Sequence, residues 1–218
     1  MLAVAPDADL DAYVVPGTEV VDLAGGLVLP GFQDAHVHPV QGGVERNRCG
    51  LTAAAGTPAA YLAAVRAYAE ANPDRPWVLG GGWAMPAFGP TGPTAAALDA
   101  VVADRPVFLP NRDHHGAWVN TLALRLAGLS RDTPDPVDGR IERDASCAPT
   151  GTLHEGAMAL VQRRIPATTD GEHDVGLQVA QTYLHSLGVT AWQDAILGTY
   201  AGNGDPATAY LRAVEVGP

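Results

Sequence analysis

The chain has 218 residues, 47% of them hydrophobic, and a mean hydropathy of +0.03, which suits a globular protein of one large or two small domains. A formal net charge of −11 excludes a general nucleic-acid or anionic-membrane surface, since both are held by clustered positive charge, and leaves small neutral or cationic molecules as the partners that fit. No stretch approaches the roughly 20 apolar residues of a membrane span, residues 1–10 carry no signal-peptide pattern, and Cys49 and Cys147 are too few for a disulfide scaffold, so a cytoplasmic protein with free thiols is expected.

Residues 18–23, T-E-V-V-D-L, read as a strand closed by a turn at Ala24-Gly25-Gly26. Residues 28–39, V-L-P-G-F-Q-D-A-H-V-H-P, run through a Pro-Gly corner and then set Asp34, His36 and His38 at two-residue intervals. On a strand all three side chains point to one face. Two imidazoles on one face hold a single divalent ion through ring nitrogens when each is neutral and its second nitrogen has a partner. The plain alternative is a solvated histidine pair at a strand end. Residues 41–50 are expected to form a glycine-containing loop.

A helix is predicted over residues 57–72, with Thr57 as cap, Pro58 in the first turn, Tyr61, Leu62, Val65 and Tyr68 as its core stripe, and Asn72-Pro73 as its stop. Residues 77–80 predict a strand running into Gly80-Gly81-Gly82-Trp83. No G-K-S/T follows, which argues against a phosphate-cradling loop. The glycines are expected to let the backbone pass close to a pocket that Trp83 lines, plain core packing being the other reading of Trp83. Residues 94–103 have a helical pattern and residues 105–109 a short strand that leads into N-R-D-H-H-G-A-W-V-N at 111–120. There Asp113, His114, His115 and Trp118 offer hydrogen bonds and an aromatic wall to a substrate. Otherwise they form a satisfied surface loop, with Asn120 capping a helix over 122–126 that Gly128 closes.

Thr152 and Glu155 are read as a T-x-x-E capping box before a helix over 157–165, with a pocket carboxylate as the second reading of Glu155; His154 has no evident partner. Residues 174–187 carry a strong helical pattern, with Val175, Val179, Tyr183, Leu184 and Leu187 on one face and Gly188 at the end. A buried strand over 188–194 follows. This helix-to-strand step predicts a parallel βα architecture and puts Asp194 at a strand's carboxyl end, where barrel enzymes carry functional side chains. Asp205-Pro206 open a last helix through residue 214.

The string P-G-F-Q-D-A-H-V-H-P resembles the signature that opens the catalytic barrel of the amidohydrolase superfamily, metal-dependent hydrolases of amide, urea, imide and related bonds. D-H-H-G-A-W-V-N is similar to D-G-H-S-A-W-V-N of the subfamily of YtcJ-type hydrolases and N-substituted formamide deformylases, amidohydrolase family 3. Asp113, His115, Trp118 and Asn120 match that pattern, whereas His114 and Gly116 depart from it. The likeness runs from about residue 18 to the end. It implies an α/β fold, a partial (β/α)8 TIM barrel. Residues 1–27 would be the remnant of a small β-sandwich and 28–218 the N-terminal part of the barrel, with an insertion subdomain over 42–170 containing a Gly/Pro-rich connection and a hairpin.

The same likeness implies His36 and His38 as metal ligands and Trp83, Asp113, His115, Trp118 and Asp194 as substrate contacts. The cofactor would be a divalent metal, with zinc expected, activating water against an amide- or formamide-like carbon–nitrogen bond of a small molecule. A whole barrel takes about 250 residues, so the catalytic residues of similar enzymes are expected beyond residue 218: a metal-bridging lysine, two later histidines and an aspartate. All 13 basic residues here are arginine, so the chain holds no lysine to carboxylate. The chain is accordingly expected to be an N-terminal fragment, with homo-oligomerisation left open. The rivals are a PHP-type phosphoesterase, which wants more histidines and basic contacts soon after His38, and a metallo-β-lactamase, whose H-x-H-x-D-H pattern is broken by Pro39-Val40-Gln41-Gly42. A third is an inactive or partner-binding product of the same family.

Overall fold

A computed structural model describes residues 6–54, 56–90, 92–199 and 204–216. It divides into two units, Met1–Gly31 and Phe32–Pro218. In the first, a one-turn helix α1 (Asp7–Leu10) runs into a 3-10 turn at Asp11–Tyr13. The strand predicted over 18–23 does not form. A strand needs a partner for its N–H and C=O groups, and none exists among the described residues of this unit, where Val20 and Val21 stay 72% and 67% exposed. The predicted turn is there: Asp22 Oδ1 accepts from Ala24 N–H at 2.8 Å, and Gly26 N–H donates to Leu23 O.

The second unit contains two sheets. Strand β1 (Phe32–Val37) leads into α2 (Pro39–Arg46), β2 (Cys49–Gly50), α3 (Pro58–Ala71) and β3 (Val78–Gly81). After a 3-10 turn at Met85–Ala87 come α4 (Ala95–Asp99), β4 (Val107–Pro110), β5 (Gly116–Val119) and α5 (Thr121–Leu126). The hairpin β6 (Gly139–Arg143) and β7 (Pro149–Glu155) precedes α6 (Met158–Gln162), α7 (Asp170–Ser186), β8 (Val189–Asp194) and α8 (Ala207–Val216). β1 and β8 pair in parallel, and the other six strands form a mixed sheet in the order β2-β3-β4-β5-β7-β6.

Both faces of the six-stranded sheet are covered, as alternation along its central strands requires. Val107 and Leu109 of β4 join one core with Tyr61, Val65, Trp83 and Trp118, while Phe108 joins a second with Ala117, Val119, Leu124, Leu153 and Val161. The predicted caps formed: Thr57 Oγ1 accepts from Ala60 N–H at 3.2 Å and Asn120 Oδ1 from Ala123 N–H at 3.0 Å. Asn120 does more than cap. It is 0% exposed, its Oδ1 also accepts from Val107 N–H, and its Nδ2 donates to the carbonyls of Val102 and Arg105. Asn120→Ala leaves those four backbone groups without partners, so a loss of about 3 kcal/mol is expected. Urea unfolding checks it; a loss below about 1 kcal/mol would refute the four-bond account.

Three expectations are corrected. Residues 41–50 are no open loop: Pro39 at the first turn starts α2. Gly42 and Gly43 lie inside that helix, and α2 crosses α7 so closely at Gly43 that a Cβ built there would overlap the carbonyl oxygen of Gly176. Thr152 and Glu155 form no capping box. Thr152 is a buried β7 residue whose Oγ1 donates to Pro93 O at 2.6 Å, and the box belongs to Thr169 and Glu172 at the start of α7. The buried face of α7 is also rotated from the predicted one. Gly176, Leu177, Ala180 and Leu184 face inward while Val175, Tyr183 and Leu187 are 42%, 41% and 53% exposed. Small residues set that face, since only they let two helix backbones approach. Tyr183 is covered instead by the Arg46 guanidinium, 3.7 Å from its ring centroid.

Candidate metal centre

The parallel pair β1–β8 positions the histidines. Its register sets Val37 opposite Asp194, and Ala195 N–H donates to Val37 O at 2.9 Å, so the carboxyl ends of both strands finish side by side. His36 is the fifth residue of β1, and Asp34 Oδ1 accepts its backbone N–H at 3.0 Å. His38 falls just past the strand, at the N-cap position of α2 with φ −120° and ψ 73°. The expectation that all three side chains share one strand face therefore stops at Val37, because Pro39 turns the chain into a helix. The two rings still meet, with centroids 5.4 Å apart and planes at 72°.

Behind them lies Asp194, its side chain 7% exposed. Asp194 Oδ1 accepts from Ile196 N–H at 3.1 Å, and Oδ2 accepts from the Tyr210 hydroxyl at 2.8 Å. Burial, reinforced by that hydrogen bond, raises the Tyr210 phenol pKa and keeps it protonated. His38 Nδ1 sits 3.9 Å from Asp194 Oδ1, too long for a hydrogen bond, and this buried nitrogen has no other partner among the described residues. Tyr210 carries no motif. Only the docking of α8 brings it here, through buried Ala209 and the Arg212 guanidinium, which donates to both Asp174 oxygens.

The donor set fits part of a metal site. Two adjacent imidazoles, one with an orphaned second nitrogen aimed at a carboxylate, suit a divalent ion. Among the described residues no group of three or more His, Cys, Asp or Glu side chains converges on one point.

The other predicted contacts fall in the six-stranded sheet. Trp83 and Trp118 are both 0% exposed, pack edge to face at 6.4 Å, and donate their indole N–H groups to Leu109 O and Thr94 O. They are core residues with no surface for a substrate to touch. The glycines before Trp83 likewise serve packing: a Cβ on Gly81 would come within 2.6 Å of Pro110 O. Asp113 and His115 lie on the exposed turn between β4 and β5, where His114 adopts φ 62°. Among the described residues no hydrogen bond or ion pair links them to His36, His38 or Asp194. Two small, shallow hollows flank Arg48 and are lined by none of these residues.

His115 has a partner that the capping-box reading concealed. Glu155 ends β7 at φ 49°, and its carboxylate is 2.9 Å from His115 Nδ1. The hydrogen bond to Glu155, followed by its charge, raises the His115 pKa above the ordinary imidazole value. A raised folded-state value makes the pair stabilising below the unfolded pKa of about 6.5, and that contribution is lost as pH rises through the folded value. In an NMR titration His115 is expected to protonate above the ordinary range and to return to it in Glu155→Gln. An unchanged midpoint in the variant would show that the pair does not form in solution.

A mixed α/β fold is shared with metal-dependent hydrolases of known structure. The chain superposes on one from Pyrococcus furiosus with a TM-score of 0.60 and 26% identity, over 90% of this chain and 37% of that one. Residues 19–215 match the amidohydrolase family, and the chain belongs to that family. It is 33% identical to YtcJ of Bacillus subtilis over 208 residues, covering 95% of this chain and 39% of that protein. It is also 33% identical to the N-substituted formamide deformylase of Arthrobacter pascens over 160 residues, covering 72% of this chain and 30% of that protein. The chain thus spans roughly a third of the length of these curated relatives. No described helix is long and apolar enough to cross a membrane.

Proposed function

We propose that the chain is part of a metal-dependent hydrolase that cleaves a non-peptide carbon–nitrogen bond, of the amide or formamide kind, in a small molecule. The observation that carries this reading is the meeting of His36 and His38 at the carboxyl end of a parallel strand pair, with Asp194 behind them. The substrate class draws on the likeness to the formamide deformylase. The parallel β1–β8 pair, with α7 entering β8 through Gly188 at φ 78°, supports a partial (β/α)8 barrel. In this proposal residues 28–218 belong to the barrel and 1–27 are a sandwich remnant. Residues 42–170, which contain the whole six-stranded sheet, are its insertion subdomain.

In this proposal His36 and His38 hold the divalent ion, zinc suiting two imidazoles. When bound, such an ion supplies Lewis-acid polarisation of the scissile carbonyl and lowers the pKa of an attacking water. The chain's own residues orient the site: Asp34 fixes the backbone at His36, and Asp194 stands behind the His38 ring. Asp113 and His115, exposed on the β4–β5 turn, are the candidates for substrate contact; Trp83 and Trp118 support that turn from the core. The test is formate release from an N-substituted formamide by the zinc-loaded chain and by the longer protein. Release that needs His36 and His38 supports the reading. A zinc-loaded longer protein that leaves every formamide and amide intact would overturn it.

A further inference from the structure

We propose that Tyr210 and Asp194 form a positioning relay for His38, holding the proton on its Nδ1 so that Nε2 is left as the ligating nitrogen. The inference deepens the metal reading and rests on His38 being a ligand. A carboxylate that is 7% exposed must be satisfied by donors. Asp194 has two in place, Ile196 N–H on Oδ1 and the Tyr210 hydroxyl on Oδ2. Asp194 Oδ1 lies 3.9 Å from His38 Nδ1, and that nitrogen has no hydrogen-bond partner among the described residues. A ring movement of about an ångström closes the gap to hydrogen-bonding distance. A neutral imidazole carries one proton, so Nδ1–H directed at Asp194 leaves the lone pair on Nε2, the arrangement outer-sphere carboxylates impose on metal-binding histidines.

The plain alternative is that the Tyr210–Asp194 bond only docks α8. The helix does not depend on it. Ala209 is 1% exposed against Val40, Val44 and Leu177, Arg212 pairs with Asp174 at 2.7 Å, and Asp205 Oδ1 caps Ala207 N–H at 2.9 Å. The hydroxyl acts by fixing which Asp194 oxygen turns towards His38.

The full chain labelled with ¹⁵N gives the tautomer of His38 directly from long-range proton–nitrogen correlations, with no metal added. Wild type is expected to be the Nδ1–H form, and Asp194→Asn and Tyr210→Phe are expected to shift it towards Nε2–H. Zinc affinity, measured by competition with a chromophoric chelator, is expected to fall about 10–100-fold in Asp194→Asn and roughly threefold in Tyr210→Phe. Tyr210→Phe keeps the ring, so circular dichroism should show an unchanged fold. If the fold and zinc binding persist but neither variant moves tautomer or affinity, the relay is overturned while the metal reading stands. If wild type binds no zinc and His36→Ala with His38→Ala changes nothing, the metal reading falls, and the relay with it.

Discussion

Gly43→Ala is expected to cost about 3 kcal/mol, near the top of the range for overpacking. The added Cβ would overlap the carbonyl oxygen of Gly176, and a Cβ on Gly176 would in turn come within 2.6 Å of Val44 Cγ2 and 2.9 Å of Val40 O. These neighbours are backbone or the stiff end of a β-branched residue, so the helices must separate instead of a side chain swinging aside. Separation loosens the core of Val40, Val44, Leu177 and Ala209. It also displaces His38, the N-cap residue of α2. Gly42→Ala is the control. It lies in the same helix with nothing within 4 Å of the added Cβ, so it should stabilise by up to about 1 kcal/mol through helix propensity. Urea unfolding of both variants decides the matter. Equal effects at the two positions would mean that the close crossing does not exist in solution.

His36→Ala combined with His38→Ala is expected to abolish stoichiometric zinc binding. Losing an outer partner of a metal ligand costs roughly 10–100-fold in affinity, and losing both imidazoles should exceed that. Each single variant should retain weak binding, since the rings lie 5.4 Å apart and each offers its own nitrogen. Elemental analysis of desalted protein is the measurement. One zinc per chain in the double variant would place the site elsewhere.

Two wrong readings share one cause. T-x-x-E at Thr152 looks like a helix start when only neighbours in sequence are considered, yet β7 pairs with β5 and β6 and carries Thr152 into the core and Glu155 to His115. Gly42-Gly43 looks like a loop because glycine disfavours a helix, yet a close crossing with α7 makes glycine the residue that fits at position 43. In both, a tertiary contact outweighs a local preference of about 1 kcal/mol.

The features that contiguous residues determine were legible in the sequence. They include the caps at Thr57 and Asn120, the helix that Gly188 closes, the strand around Phe108, the position of the strand around Trp192 though not its expected burial, since it has no fully buried residue, and the string around His36 and His38 that marks the family. Each follows from a side chain bonding its own backbone or from a periodicity of hydrophobic residues. Tertiary structure alone decided that Trp83 and Trp118 are core, that α7 buries its small residues, and that Tyr210 reaches Asp194 across 16 positions of chain. The physical reason is that burial and partnership depend on which distant elements pack together, and an indole or a phenol has the same local preferences whether it lines a cleft or fills a core.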